Sequence, residues 1–152
     1  FVWLGDLNNV LYSWIEASVI FNFSLSICCP KLIKISKELK AKIKTYHNNV
    51  KIFHDTKLAC RDSDCIITDT WFSMGKKPTK KLLKAFKPYQ VNEAIMSMAK
   101  KNAVFMHCLP ATRGNEVTED VIDNLDYSLV WSEAENRLHV QKAILEWCLK
   151  KI

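Results

Sequence analysis

The tetrapeptide His107-Cys108-Leu109-Pro110 ends a short apolar run, residues 103 to 106, and places an imidazole and a thiol where a predicted strand stops. Two chemistries suit this pair: a histidine can activate a cysteine for covalent catalysis, or a thiol can contact a substrate amine without forming a bond. Because adjacent residues of a strand point to opposite faces, His107 is poorly placed to activate Cys108. The pattern therefore favours the non-covalent role, and an inert buried thiol is the alternative without function. Pro110 would stiffen the turn.

A second candidate segment begins at Asp69, directly after the apolar run Ile66-Ile67-Thr68. A carboxylate at this place can neutralise a substrate ammonium group, although the same position also suits an aspartate that caps a helix or a turn. Ser73-Met74-Gly75 follows closely and adds a hydroxyl, a soft thioether wall and a backbone that can turn tightly. Together these residue types could hold a flexible amino acid.

Two further groups could contact a ligand. Asn8 and Asn9 follow the first apolar run, and one of the two amides can cap the next helix while the other stays free to reach a carboxylate. Arg137 is one of three arginines among 22 basic residues, and its planar guanidinium suits a phosphate or carbonyl oxygen. A surface salt bridge explains Arg137 equally well.

These candidates follow short apolar runs that alternate with segments of helical period. The predicted strands are Val2 to Leu4, Leu25 to Cys28, Val50 to Phe53, Cys65 to Thr68, Ala103 to His107 and Ser128 to Trp131. The main predicted helices are Asn9 to Phe21, Leu32 to Tyr46, Lys57 to Cys60, Thr79 to Phe86, Asn92 to Lys100, Val117 to Asn124 and Val140 to Lys151.

Almost wholly apolar strands separated by helices indicate a mostly parallel sheet that is covered by helices on both faces. The sequence thus predicts a doubly wound α/β fold, a Rossmann-like three-layer sandwich, as a single domain over residues 1–152. In such folds ligands bind beyond the carboxyl ends of the strands, so we expect the candidate residues to meet at one edge of the sheet.

The composition excludes several classes of protein. The chain carries a net charge of +6, but the basic excess falls between residues 31 and 101, mostly at helical spacing between apolar residues and without an aromatic platform. This pattern predicts a solvated helix face and no nucleic-acid partner. The chain has only three glycines and no G-x-G-x-x-G segment, so a nicotinamide or flavin cofactor is not expected.

The six cysteines are expected to be reduced, because no signal peptide is visible and most of them lie inside apolar runs. They lack the spacing of zinc ligands, so no metal is expected. The apolar stretch from Val10 to Cys29 is interrupted by Glu16 and Asn22 and has no positive flank, which argues against a membrane span. We expect a cytoplasmic protein.

Five motifs, in order along the chain, resemble the ornithine-binding half of an ornithine carbamoyltransferase. They are Gly5-Asp6-x-Asn8-Asn9, Thr68-Asp69-x-Trp71-x-Ser73-Met74-Gly75, Tyr89-Gln90-Val91, His107-Cys108-Leu109-Pro110 and Glu135-Asn136-Arg137. The resemblance runs from the first predicted strand to the last predicted helix.

The resemblance implies transfer of the carbamoyl group from carbamoyl phosphate to the δ-amine of L-ornithine, giving L-citrulline and phosphate without a metal or organic cofactor. Asp69 would meet the α-ammonium group, and Cys108 would face the δ-amine and accept or relay its proton. The implied ornithine ligands are Asn9, Asp69, Ser73 and Met74. The implied carbamoyl phosphate ligands are Cys108, Leu109 and Arg137.

The family also has a preceding domain whose Ser-x-Arg-Thr-Arg and His-Pro-x-Gln segments clamp the phosphate, and neither segment occurs here. The chain begins at a predicted core strand, Phe1-Val2-Trp3, with no leader, so we expect the second half of an enzyme, inactive alone. The resemblance further implies a homotrimeric full-length enzyme of arginine biosynthesis or the urea cycle. The alternatives are a carbamoyltransferase for acetylornithine, putrescine or aspartate, and a non-catalytic amino-acid-binding module.

Overall fold

A computed structural model describes residues 1–72 and 78–150 of the chain. Within these residues five strands form one sheet in the order β3-β2-β1-β4-β5, and every pairing is parallel. The strands are β1 (Val2–Leu4), β2 (Leu25–Cys28), β3 (Val50–Phe53), β4 (Cys65–Thr68) and β5 (Val104–His107). The predicted doubly wound parallel sheet is confirmed.

The strands are apolar on both faces because a helical layer covers each face. Val2 and Leu4 of β1 pack into one core, whereas Trp3 between them packs into the other. Burial of a large aliphatic side chain such as Leu11 or Ile15, both fully buried, stabilises the fold by about 1.5–3 kcal/mol. The Trp3 layer contains α1 (Asn9–Ile20) and α2 (Lys37–Thr45). The opposite layer contains α3 (Thr56–Cys60), α5 (Glu93–Met96), α6 (Glu119–Ile122) and the start of α7 (Val130–Leu149).

Capping side chains fix where most of these helices begin. Ser36 Oγ accepts a hydrogen bond from the Leu39 N–H at 3.0 Å, so α2 begins at Lys37 and not at the predicted Leu32. The other capping side chains are Asn8 for α1, Asp55 for α3, Thr79 for α4 (Lys80–Phe86) and Asn92 for α5. The capping side chains therefore indicate where these helices begin more accurately than the spacing of apolar residues does.

The predicted strand from Ser128 to Trp131 is wrong, and the closing helix begins at Val130 instead of Val140. Ser128 forms only an isolated bridge with Phe105, after which the Glu133 N–H donates to the Leu129 carbonyl at 2.8 Å and opens the helix. The run of bulky apolar residues favours a strand locally. Pairing with β5 ends after one residue, however, and a helix then satisfies the backbone.

From residue 134 to its end at residue 149, and in the capping residue 150, helix α7 is exposed on every side. Several large apolar side chains lie on this surface, among them Leu138, Ile144 and Trp147. Even so, no described helix, α7 included, combines the length and the apolar character needed to cross a bilayer.

At the carboxyl ends of β1 and β4, the chain leaves the sheet toward opposite helical layers. β1 leads into α1 in one layer, whereas the connection from β4 to β5 passes through α5 in the opposite layer. The two connections diverge and leave a crevice between adjacent strand ends, which is where open α/β sheets bind ligands.

Gly5 makes the turn that leaves β1 at this crevice. Its φ is +133°, and a Cβ at this position would lie 3.2 Å from Trp71 Cδ1. An L side chain rarely adopts this backbone conformation and would also crowd the indole. Glycine at this turn therefore lets the β1 and β4 ends approach each other.

Candidate active site

Asp69 follows β4 and accepts hydrogen bonds from three neutral residues. Asn8 Nδ2 donates to Oδ2 at 2.7 Å, and the Thr70 N–H donates to Oδ1 at 2.7 Å. Cys108, from the end of β5, donates through Sγ to the same Oδ1 at 3.4 Å. Since none of these described partners is a cation, the carboxylate can still pair with a positive group of a ligand.

Asn8 links this carboxylate to the start of α1. Its Oδ1 accepts from the N–H groups of Val10 and Leu11 at 3.1 and 3.2 Å, while its Nδ2 is the group bonded to Asp69. Asn9 is exposed and lines the crevice. The prediction that one of the two asparagines caps the helix is confirmed, with Asn8 as the cap.

Cys108 is a neutral thiol in this setting. Burial, and next the nearby Asp69 carboxylate, raise the pKa of Cys108 to about 12. At neutral pH the group can therefore donate to Asp69 and offer a sulfur lone pair to a ligand N–H, but it is not a preformed thiolate nucleophile.

The His107 ring accepts one hydrogen bond from the backbone and lies near Glu116, and its hydrogen bonds among the described residues do not include Cys108. The Leu109 N–H donates to Nδ1 at 2.9 Å, so Nδ1 is the acceptor in this contact. Nε2 lies 3.5 Å from Glu116 Oε1, and both side chains are fully buried. These contacts agree with the expectation that His107 does not activate the cysteine.

Glu116 also accepts a hydrogen bond from the Thr112 N–H, and so connects both ends of the segment that follows β5. Sequence reasoning missed Glu116, because a single glutamate in a polar stretch has no periodic signal. Its burial next to a histidine is visible only in the fold.

Glu133, in the first turn of α7, approaches the site from the other side of β5. Its Oε2 accepts from the His107 N–H at 3.1 Å, and burial raises the pKa of this carboxyl group. No role for Glu133 is predicted from the sequence.

The crevice beside Asp69 has a volume of about 370 Å³, within the usual range of small-molecule sites. It is lined by Asn8, Asn9, Asp69, Thr70, Phe72, Pro110 and Thr112. A larger cavity of about 700 Å³ beyond β2 and β3 contains none of the predicted site residues. The crevice thus combines polar groups from the ends of β1, β4 and β5.

The structure brings together some of the predicted site residues and separates others. Asn9 and Asp69 line the crevice, Cys108 contacts Asp69, and Leu109 follows Cys108 in the β5 turn with φ of +52°. Arg137 is exposed on α7 and does not line the crevice. Ser73 and Met74 lie outside the described residues.

One group among the described residues gathers three types of metal ligand. The ligand atoms of Asp69, His107 and Cys108 lie within 4.8 Å of one another, a donor set that could suit Zn²⁺. Two of these atoms are already used, since His107 Nδ1 accepts the Leu109 N–H and the Cys108 thiol is protonated. The group is therefore organised as a hydrogen-bonded array.

Comparison with known proteins connects this geometry to a family. The family model described as aspartate/ornithine carbamoyltransferase, Asp/Orn binding domain, matches residues 1–148. The ornithine carbamoyltransferase of Nitrobacter winogradskyi is 49% identical over 147 residues, which are 97% of this chain and 47% of the relative. That of Rhodopseudomonas palustris (strain CGA009) is 51% identical over 147 residues, with the same shares of 97% and 47%.

A solved structure gives the same result at the level of the backbone. The anabolic ornithine carbamoyltransferase of Campylobacter jejuni matches with a TM-score of 0.86 at 37% identity, over 99% of this chain and 51% of that chain. The chain spans about half the length of the curated relatives it matches. The chain therefore belongs to the aspartate/ornithine carbamoyltransferase family, in which it matches the Asp/Orn-binding domain.

Proposed function

We propose that this chain supplies the ornithine-binding half of an ornithine carbamoyltransferase. The full enzyme would transfer the carbamoyl group of carbamoyl phosphate to the δ-amine of L-ornithine, giving L-citrulline and phosphate. The observation that carries the proposal is the Asp69 carboxylate, which is held by neutral donors at the crevice with Cys108 against one of its oxygens. The names of the relatives support the choice of substrate.

Ornithine would bind with its α-ammonium group at Asp69 and its α-carboxylate near the exposed side chain of Asn9. Asp69 has no cationic partner among its described contacts, so the ammonium group would supply the missing charge. Ser73 and Met74 are proposed to complete the ornithine site. This arrangement would leave the δ-amine near Cys108.

Cys108 would move the proton that the reaction releases. As the new C–N bond forms and the C–O bond to phosphate breaks, the attacking nitrogen must lose one proton. The Cys108 thiol already donates to Asp69 Oδ1, so sulfur can take the nitrogen proton while the thiol proton passes to the carboxylate. A pKa of about 12 leaves little thiolate at neutral pH, which argues against covalent attack by Cys108.

Carbamoyl phosphate would lie next to the turn after β5, held by Cys108, Leu109 and Arg137 together with residues from the rest of the protein. Positive charge near the carbamoyl oxygen would stabilise its developing negative charge, and proximity to the amine would supply much of the rate. We further propose a cytoplasmic homotrimer that acts in arginine biosynthesis.

The proposal is tested on the full-length protein by measuring citrulline formation with and without the substitution Cys108→Ala. We expect turnover by the wild type and a loss of roughly 100-fold in the variant, the scale of one proton-transfer group. Equal rates of citrulline formation in the wild type and the variant would contradict the proposed role of Cys108. Ornithine, acetylornithine, putrescine and aspartate offered as competing acceptors would test the substrate, and preference for any acceptor other than ornithine would contradict the proposal.

A further inference from the structure

Gln90 is a buried polar residue in the Tyr89-Gln90-Val91 motif to which the reaction assigns no role. Its side chain is 6% exposed and lies in the connection between α4 and α5. Its Nε2 donates to two backbone carbonyls, those of Gly114 at 2.6 Å and Asn115 at 2.8 Å. One amide group thus satisfies two consecutive carbonyls of the segment that follows the β5 turn.

The orientation of this amide is fixed from its other side. Lys87 Nζ donates to Gln90 Oε1 at 2.8 Å, which keeps Nε2 directed at the two carbonyls. The backbone of Val91 continues the attachment, since its N–H donates to the Glu116 carbonyl at 2.8 Å and its carbonyl accepts from the Thr118 N–H at 2.9 Å. Residues 114–118 are therefore held in register against residues 90 and 91.

The segment that Gln90 holds leads directly to the candidate site. The Glu116 side chain accepts from the Thr112 N–H and faces His107 Nε2, while His107 Nδ1 accepts from the Leu109 N–H. Thr112 and Pro110 line the crevice. Gln90 and Val91 thus hold residues 114–116 by hydrogen bonds, and the Glu116 side chain in turn holds the Thr112 N–H in the turn that carries Cys108.

Given the transfer reaction proposed above, on which this inference rests, we propose that Gln90 is a positioning residue for the substrate-facing turn at residues 108–112. It touches neither substrate, and it acts by fixing the far end of the loop that presents Cys108, Pro110 and Thr112. Displacement of reacting groups by about 1 Å can cost a factor of about 100 in rate, so loss of this attachment should affect turnover before it affects the fold.

The experiment compares Gln90→Met with two controls in the full-length enzyme. Methionine keeps the length and volume of the side chain but removes both donors. Asn49→Leu is the matched control, because Asn49 Nδ2 also contacts two carbonyls, those of Ser18 and Phe23, both at 3.3 Å and away from the crevice. Lys87→Met removes the lysine and leaves both amide donors of Gln90 in place.

We expect Gln90→Met to lower kcat/KM for ornithine by roughly 10- to 100-fold at a temperature where thermal melting finds every variant folded. Asn49→Leu should keep kcat/KM within about twofold of the wild type, and Lys87→Met should lie between these two. Hydrogen exchange at the Leu109 and Thr112 amides should be faster in Gln90→Met and unchanged in Asn49→Leu. Where Gln90→Met does not accumulate, Gln90→Asn, with an amide on a side chain one methylene shorter, replaces it.

Wild-type kinetics in the folded Gln90 variant, or an equal loss of kcat/KM in Asn49→Leu, would overturn the positioning role. A wild-type enzyme that forms no citrulline would refute the proposed function instead. In that case unchanged exchange at Leu109 and Thr112 in the Gln90 variant would overturn the positioning role as well, because exchange does not depend on catalysis.

Discussion

Cys108 Sγ lies 3.4 Å from Asp69 Oδ1 and directs its proton to that carboxylate. The two residues come from the ends of neighbouring strands, β5 and β4, and the negative charge of Asp69 helps keep the thiol protonated. The pair unites the group proposed to bind the substrate ammonium with the group proposed to receive a proton.

Asp69→Asn should separate these two functions. The amide removes the charge that opposes ionisation of Cys108, so the pKa of the thiol should fall and its alkylation by iodoacetamide at pH 9 should become faster. Citrulline formation should fall by roughly 100-fold or more, since the substrate ammonium loses its partner. Peptide mass spectrometry of Cys108 measures the first effect, and an unchanged alkylation rate would show that the carboxylate does not control the thiol.

Substitutions of Asn8 should separate its capping role from its contact with Asp69. Asn8→Ala removes both and should lower the free energy of unfolding by about 1 kcal/mol while raising the KM for ornithine. Asn8→Ser keeps a capping oxygen but is too short to reach Asp69, so it should restore stability without restoring the KM. Asn92→Ala, which removes the cap of α5, is the control for stability alone. Recovery of both properties in Asn8→Ser would contradict a role for the Asn8–Asp69 contact.

Glu133→Gln should change stability in a pH-dependent way. Burial raises the pKa of Glu133, so the folded state favours the protonated carboxyl group, and the stability that this preference provides is lost as pH rises through the folded pKa. Glutamine keeps an acceptor for the His107 N–H without the charge. The variant should therefore be more stable than the wild type at pH 7, and the difference should vanish near pH 4. Urea denaturation at the two pH values measures this, and a variant less stable at pH 7 would contradict it.

Gly5→Ala should destabilise the turn after β1 more than Gly114→Ala destabilises the β5 loop. Both glycines have positive φ, +133° and +87°, but a Cβ at Gly5 meets Trp71 at 3.2 Å and one at Gly114 meets nothing within 4 Å. Strained backbone costs on the order of 1–3 kcal/mol in each variant, and the contact with the indole adds to it only at Gly5. Melting temperatures provide the comparison, and equal shifts would mean that Trp71 moves aside freely.

The sequence predicted the parts of the fold that depend on local pattern. All five strands coincide with short apolar runs, and β4 begins and ends as predicted, because strands buried on both faces must be apolar throughout. The strand predicted at residues 128–131 was wrong for a physical reason. Pairing with β5 stops at Ser128, and this outweighs the β propensity of the segment.

The candidate site was predictable only where its residues end strands. Asp69 and Cys108 each directly follow a strand, so their meeting at one edge follows from parallel topology. Glu116 was not predictable, because its burial depends on how the loop after β5 folds back on His107. Gln90 stood in a recognisable motif, but its two carbonyl partners lie 24 and 25 residues away.

The wholly parallel sheet also has a consequence for how the protein acquires its site. No two paired strands are joined by a hairpin within the described residues, and the hydrogen bond between Asn8 and Asp69 closes a sequence separation of 61 residues. Bringing such distant residues together costs chain entropy before their contacts stabilise the fold. Refolding should therefore be slow, and the crevice should form late. Recovery of ligand binding during refolding would then report completion of the sheet, which far-ultraviolet signals from the early helices would not.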